Sequence, residues 1–323
     1  MYFYILISFQ PILFPRLKRL DVVVDDASSF LGFAEALKVN SVITQINLEH
    51  VCISADNAMA FADALKHNST LTRVKLSYNF LDPESVISLA TALTTNSTIT
   101  MIDLGYHSIS PENVMVLSKA LTVNSTIAEI YLGYNSIVDE GAKYLSEALK
   151  VNSSIVDLNL CDNSIGPEGA IALSHALKIN STLRNIYLGF NRIGDRGVMA
   201  LAEALKVNSS VVDLNLWDNS IGADGAIALA DALKVNSVIN RLYLGYNTVA
   251  DEGAIAFAEA LKVNSTLAVI ELGYNSIADE GAQSLIKALT WDVSNADIYF
   301  WENSVNLETK QLIESLPTNQ IKC

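Results

Sequence analysis

SSIVDLNLCDNSIGPEGAIALSHALKIN, Ser153 to Asn180, is one complete unit of this chain. Ile155, Leu158 and Leu160 form an LxxLxL pattern, and Leu158 and Leu160 alternate with polar Asp157 and Asn159, the period of a half-buried strand. Gly166-Pro167 marks a turn. Ala170, Leu173, Ala176 and Leu177 then follow at the spacing of one helical stripe. Glu168 at the start and Lys178 at the end of that segment both suit the helix dipole. Asn180 stands where a left-handed residue would end the helix. The unit therefore reads strand, turn, helix, turn.

The same unit recurs along the chain. Asn-Ser is found at Asn40, Asn68, Asn96, Asn124, Asn152, Asn180, Asn208, Asn236 and Asn264, and the step from each to the next never changes. Asp292 continues the register, and Leu17, Leu20 and Val22 suggest the strand of a shorter first unit. About eleven units result. One unit cannot bury its leucine stripe alone, whereas stacked units share a continuous core. Strands about 4.8 Å apart and helices about 10 Å wide cannot stack straight, so the helical side must splay. The expected fold is α/β: a right-handed solenoid, or horseshoe, with a concave parallel sheet and convex helices. The expected boundaries are an apolar N-terminal segment at 1–16, the solenoid at 17–319 and a C-terminal tail at 320–323.

The string LxxLxLxxNxIxxxGAxxLAxALxxN resembles the long leucine-rich repeat of ribonuclease inhibitor, of the repeat region of NOD-like receptors, and of Ran GTPase-activating protein. Leu158 to Ile165 (LNLCDNSI) and Leu214 to Ile221 (LNLWDNSI) carry the resemblance most closely. It implies that the asparagines at 79, 135, 163, 191, 219, 247, 275 and 303 form a buried ladder serving loop backbone groups. Losing one rung would cost about 1–3 kcal/mol. Val51 and His107 interrupt this column. His107 is read as a substitute rung, and the N-terminal third is expected to be less regular.

The polar strand positions between the core leucines face the concave side. Aromatics pair there at Tyr131/Tyr134, Tyr187/Phe190 and Tyr243/Tyr246, with Tyr299 and Trp301 further on. Carboxylates alternate with them at Asp157/Asp162 and Asp213/Asp218, and Trp217 lies beside Asp218. The pattern returns at every second unit: IYLGYN, LNLCDN, IYLGFN, LNLWDN, LYLGYN. Aromatic anchors framed by acids suit a protein-binding face. The same tyrosines could instead stack as cross-strand neighbours, or the alternation could be a relic of duplicating a two-repeat block.

Composition limits the partner. A formal charge of −14 repels phosphate backbones, so nucleic acid is not expected and a protein ligand with a basic patch is. The histidines at 50, 67, 107 and 175 sit at different repeat offsets, and no pair has metal-ligand spacing. Cys161 has no repeat-equivalent base, and no lone phosphate loop appears. The expectation is a binding module with no cofactor, no metal and no catalytic residues: a scaffold, an inhibitor or an innate-immune-type sensor.

Two alternatives stay open. One is a GTPase-activating protein of the Ran type, for which Arg73 and Arg241 are isolated. The other is a secreted recognition protein, suggested by apolar Met1–Phe9 and by seven Asn-x-Ser/Thr sequons. Three cysteines, odd in number and far apart, favour a reducing, cytoplasmic setting. Met1–Phe9 is too short to span a bilayer, which takes about 20 residues. More charge around Leu307–Leu316 reads as a terminal cap. The start shows no comparable cap, which suggests a neighbouring N-terminal domain.

Overall fold

The computed structural model describes residues 18–21, 27–51, 53–79, 81–289, 296–314 and 321–322. The apolar segment at 1–16, Pro317, Cys52 and Cys323 lie outside them. Strands are β1 (Arg19–Asp21), β2 (Gln45–Asn47), β3 (Arg73–Lys75), β4 (Met101–Asp103), β5 (Glu129–Tyr131), β6 (Asp157–Asn159), β7 (Asn185–Tyr187), β8 (Asp213–Asn215), β9 (Arg241–Tyr243), β10 (Val269–Glu271), β11 (Asp297–Tyr299) and β12 (Ile321–Lys322). Helices are α1 (Ala27–Val39), α2 (Ala55–His67), α3 (Pro83–Leu93), α4 (Pro111–Val123), α5 (Val138–Leu149), α6 (Pro167–Leu177), α7 (Gly194–Leu205), α8 (Ala223–Leu233), α9 (Ala250–Leu261), α10 (Asp279–Ala288) and α11 (Leu307–Glu314).

The chain forms two compact units, Met1–Ile137 with Glu147–Asn159, and Val138–Ser146 with Leu160–Cys323. In the first, β1 to β6 pair in parallel in chain order. In the second, β7 to β12 do the same. Each unit is thus the expected α/β solenoid of alternating strands and helices. Paired residues lie one full repeat apart, as in Leu214↔Leu242, except at the ends. Arg19 pairs with Gln45, which makes the first repeat slightly shorter than the rest, as the sequence suggested. Ile298 pairs with Ile321, so part of the segment assigned as a tail adds a further strand. The register does not slip beside Val51 or His107.

The leucine stripe forms the core. Ile155, Leu158, Leu160, Ala170, Leu173, Ala176 and Leu177 are all at most 3 % exposed. The expected asparagine ladder is present. Asn191 Oδ1 accepts from the backbone N–H of Asn163 (3.0 Å) and Ile165 (2.9 Å), and its Nδ2 donates to the carbonyls of Leu160 (2.9 Å) and Leu188 (2.8 Å). His107 does replace an asparagine in it. It is 2 % exposed, Nδ1 lies 2.7 Å from the Asn79 carbonyl, and its N–H donates to Asn135 Oδ1.

The asparagines that end the helices behave differently from expectation. None has positive φ; Asn68 and Asn124 are extended, with φ −75° and −73°. They build a second ladder. Asn208 Oδ1 accepts from the N–H of Ser210 and Val211, and its Nδ2 donates to the carbonyls of Leu177 (2.8 Å) and Asn180 (3.1 Å) in the preceding repeat. A left-handed stop would satisfy only the helix it ends, whereas this amide also ties that helix to its neighbour. All nine are 4–6 % exposed, which leaves no room for a glycan on the seven sequons.

The left-handed residues are found elsewhere. The position before each strand-side ladder asparagine has positive φ throughout, including Tyr134 (58°), Asp162 (49°), Phe190 (57°) and Asp218 (46°). A side chain there costs about 1–2 kcal/mol. The turn is held by backbone bonds to the next repeat, such as Asp162 N–H to Gly189 O at 2.9 Å. A second positive-φ position alternates between two types. It falls at Ser108, Ser164, Ser220 and Ser276 in one set of repeats, and at Val138, Gly194 and Ala250 in the other.

The second set brings Asp139, Asp195 and Asp251 onto the next helix. Asp195 Oδ1 accepts from Gly222 N–H (2.6 Å) and Gly225 N–H (3.1 Å), and Asp139 and Asp251 repeat this on α6 and α10. The N-cap residues of these helices, Gly166, Gly222 and Ala278, make no side-chain cap of their own. Gly225 permits the approach, because a Cβ there would lie 2.6 Å from Asp195 Oδ1. Asp195→Ala is therefore expected to destabilise the chain by about 1–2 kcal/mol. Exposed Asp224→Ala, in the helix that Asp195 caps, should stay within about 0.5 kcal/mol. Urea unfolding of the two variants measures the difference.

Candidate protein-binding face

In the first unit the concave residues largely engage one another. Arg73 forms a bidentate pair with Glu129 (2.8 and 2.9 Å), reaching past the row of Met101, which is 2 % exposed. Arg73 is therefore not isolated, contrary to the sequence reading. Tyr131 is half-buried and its hydroxyl donates to Glu129 Oε2 at 3.1 Å. Burial, then the charges of Asp157 and Glu129, push its pKa up. His50, Tyr78, Tyr106 and Tyr134 form a continuous stack with centroid spacings of 4.6, 4.0 and 4.0 Å. Tyr134 thus belongs to the cross-strand stacking that the sequence left as an alternative. Asp157 is half-buried beside Tyr131.

In the second unit the stack is rebuilt from two columns. Phe190 and Tyr246 occupy the left-handed column, and Asp218 stands between them in sequence register. Trp217, one residue earlier, fills the gap, with its ring 4.7 Å from Phe190 and 4.4 Å from Tyr246. Tyr274 continues the stack at 4.0 Å. Asp162 and Asp218 are exposed, and Tyr187, Tyr243, Tyr299 and Trp301 are half-buried. Asp213 is 6 % exposed and faces Arg241 Nη1 at 3.4 Å, so it acts through that pair, and Arg241 is not isolated either.

A recess of about 510 Å³ opens on this face. Phe190, Trp217, Tyr243 and Trp301 line it together with Cys161, Gly189, Asn215 and Glu271. The glycines make the space. A Cβ on Gly245 would collide with Trp217 Nε1, and one on Gly273 would lie 2.5 Å from Trp301 Nε1. Both indoles therefore lie over glycine backbone. Glu271 sits between them, 4 % exposed, its carboxylate accepting from Gly245 N–H (2.7 Å) and Gly273 N–H (2.8 Å). Burial raises its pKa, and the Gly273, Gly245 and Trp217 hydrogen bonds oppose that rise.

Sequence reasoning gathered Phe190, Trp217, Tyr243 and Trp301 but missed Glu271 and Cys161. The available signal was the glycine next to each tryptophan row, a place where a large neighbour can lie flat. Cys161 is half-buried, and burial pushes its thiol up to about 11. It should alkylate on the order of 100-fold more slowly than an unperturbed thiol at pH 8, speeding about tenfold per pH unit until it titrates. Site-resolved iodoacetamide labelling followed by mass spectrometry checks this. Among the described residues no group of three or more His, Cys, Asp or Glu could hold a metal ion. No described helix is long and apolar enough to cross a membrane.

Six segments, 67–90, 151–174, 180–202, 207–230, 235–258 and 263–285, match the family model described as Leucine Rich repeat. Those six segments read as leucine-rich repeats. No curated protein matches the sequence. Among solved structures, the chain is similar to the leucine-rich repeat-containing protein LegL7 from Legionella pneumophila. That match has 17% identity and a TM-score of 0.55, and covers 92% of this chain and 96% of that one. Part of the chain also resembles the tropomodulin C-terminal domain of Caenorhabditis elegans. There the identity is 20%, the TM-score 0.41, and the coverage 48% and 93%. A third likeness is to leiomodin-1 actin-binding site 2, with 23% identity, a TM-score of 0.42 and coverage of 47% and 88%. At 17% identity the likeness to LegL7 is one of fold alone.

Proposed function

We propose that this leucine-rich-repeat chain binds a protein partner on the strand face of its second unit. The partner would carry a basic patch, and the chain would act as a scaffold, inhibitor or sensor in the cytoplasm. The observation that carries the reading is the aromatic-walled recess of Phe190, Trp217, Tyr243 and Trp301 around Glu271. Aromatic side chains of this kind anchor interfaces because they bring apolar area at low entropy cost. Exposed Asp162 and Asp218 supply the acidic border that would steer a basic surface. Similarity to ribonuclease inhibitor and to the repeats of NOD-like receptors belongs to the same proposal.

The GTPase-activating alternative is weakened by the pairing of Arg73 with Glu129 and of Arg241 with Asp213. The secreted alternative is weakened by the burial of the sequon asparagines. The test is the triple variant Tyr187→Ala, Trp217→Ala, Tyr243→Ala in quantitative affinity capture from the native cell. Partners held by the wild-type chain should be lost from the variant. An unchanged set of partners, from a variant that unfolds like the wild type, overturns the proposal.

A further inference from the structure

Glu271 stands out on the strand face because it is a carboxylate placed under rings. It comes from β10, in the column where β9 and β11 carry Tyr243 and Tyr299. Its two oxygens are fixed by the N–H groups of Gly245 and Gly273, so the carboxylate is held in place. The indoles of Trp217 and Trp301 lie over those same two glycines. Among the described residues no lysine or arginine lines the recess, and Arg241 on neighbouring β9 is turned to Asp213. The recess therefore holds one carboxylate, aromatic walls and, among the described residues, no lysine or arginine to pair with it.

That chemistry discriminates among occupants. A purely apolar group would cover the carboxylate without compensating its charge, which is unfavourable. An anion would be repelled. A cation gains from the ring faces and from the carboxylate together. Among protein cations the guanidinium fits best, because it is planar, weakly hydrated, stacks on aromatic rings and donates a fork of N–H groups to a carboxylate. An ammonium would have to shed a tighter water shell for a single point contact.

We propose that the recess receives an arginine side chain of the protein partner, its guanidinium stacked against Trp217 and Trp301 and directed at Glu271. This rests on the reading of the strand face as the partner-binding surface. It adds the chemical class of the anchoring residue.

The test uses the full chain and needs no partner. The chain has three tryptophans, Trp217, Trp291 and Trp301, which give distinct indole N–H signals in NMR once assigned with Trp217→Phe and Trp301→Phe. The probes are N-acetyl-arginine amide, its neutral isostere N-acetyl-citrulline amide, and N-acetyl-lysine amide. Arginine should shift the Trp217 and Trp301 signals saturably. Citrulline should bind at least about tenfold more weakly, and lysine more weakly than arginine. Glu271→Gln should weaken arginine binding at least about tenfold.

Equal arginine and citrulline titrations, no shift at tens of millimolar (about the weakest binding such a site would show), or tighter lysine binding would each overturn the proposal. The comparison on the wild-type chain decides the matter even if Glu271→Gln fails to fold. If the triple variant loses the partner while arginine and citrulline titrate alike, the binding face stands and the arginine anchor falls. If arginine binds selectively while partner capture ignores the triple variant, the recess stands and the binding face falls.

Discussion

Asn191→Ala is expected to lower the free energy of unfolding by about 3–5 kcal/mol, more than the about 1–3 kcal/mol that a single unpaired group would cost, because several backbone groups lose their partner together. The side chain is 6 % exposed and makes five hydrogen bonds to backbone groups. Two of the partners, the N–H groups of Asn163 and Ile165, belong to the previous repeat, as does the Leu160 carbonyl. Alanine fills none of these roles, and buried backbone groups left alone cost about 1–3 kcal/mol each before relaxation. Asn208→Ala should fall in the same range, because its amide serves the second ladder in the same way. Urea denaturation of both variants provides the measurement. A loss under about 1 kcal/mol would mean that the ladders are ornament rather than support.

Acid should destabilise the chain through His107. Burial holds its pKa down to about 4 against an ordinary value of 6.5, and bonds to the Asn79 and Leu76 backbone only partly oppose this. The unfolded chain then takes up a proton that the folded chain refuses. The stability His107 confers is complete above the ordinary value and is lost as pH falls towards the folded one. The full effect is about 3 kcal/mol. Asp103, Asp213 and Glu271 work in the opposite sense, since burial raises all three. Their contribution is present in acid and declines as pH rises through their folded pKa values. The His107→Asn variant separates the two. Its stability should depend less on pH between about 4 and 6.5 than that of the wild type, a difference read from urea midpoints across that window.

Most of the fold was legible because periodicity is a global signal. Leu158, Leu160, Ala170 and Leu177 needed only spacing to be assigned to the core. Asn180 misleads because helix-ending asparagines are usually judged from one chain segment. Asn208, in the same column, ties its helix to the preceding repeat, and the one-dimensional pattern does not say which groups lie alongside. The same limit hides Glu271. A column read down the strands gives its place, but its burial follows from Trp217 reaching back across Gly245, a diagonal relation between rows. Arg73 reads as isolated for the same reason, since its partner Glu129 lies two rows away.

The aspartates at 139, 195 and 251 carry a consequence for how such a chain can change length. Each lends its carboxylate to the following repeat, and the repeats that receive it present glycine or alanine where a cap would stand. Asp279 also bonds forward, to Asn306, so the alternation runs from Asp139 to Gly281, where inserting or deleting a single repeat would set two lenders, or two recipients, side by side. Gene events that preserve the fold should therefore add or remove repeats two at a time, so that copy number is inherited in couples.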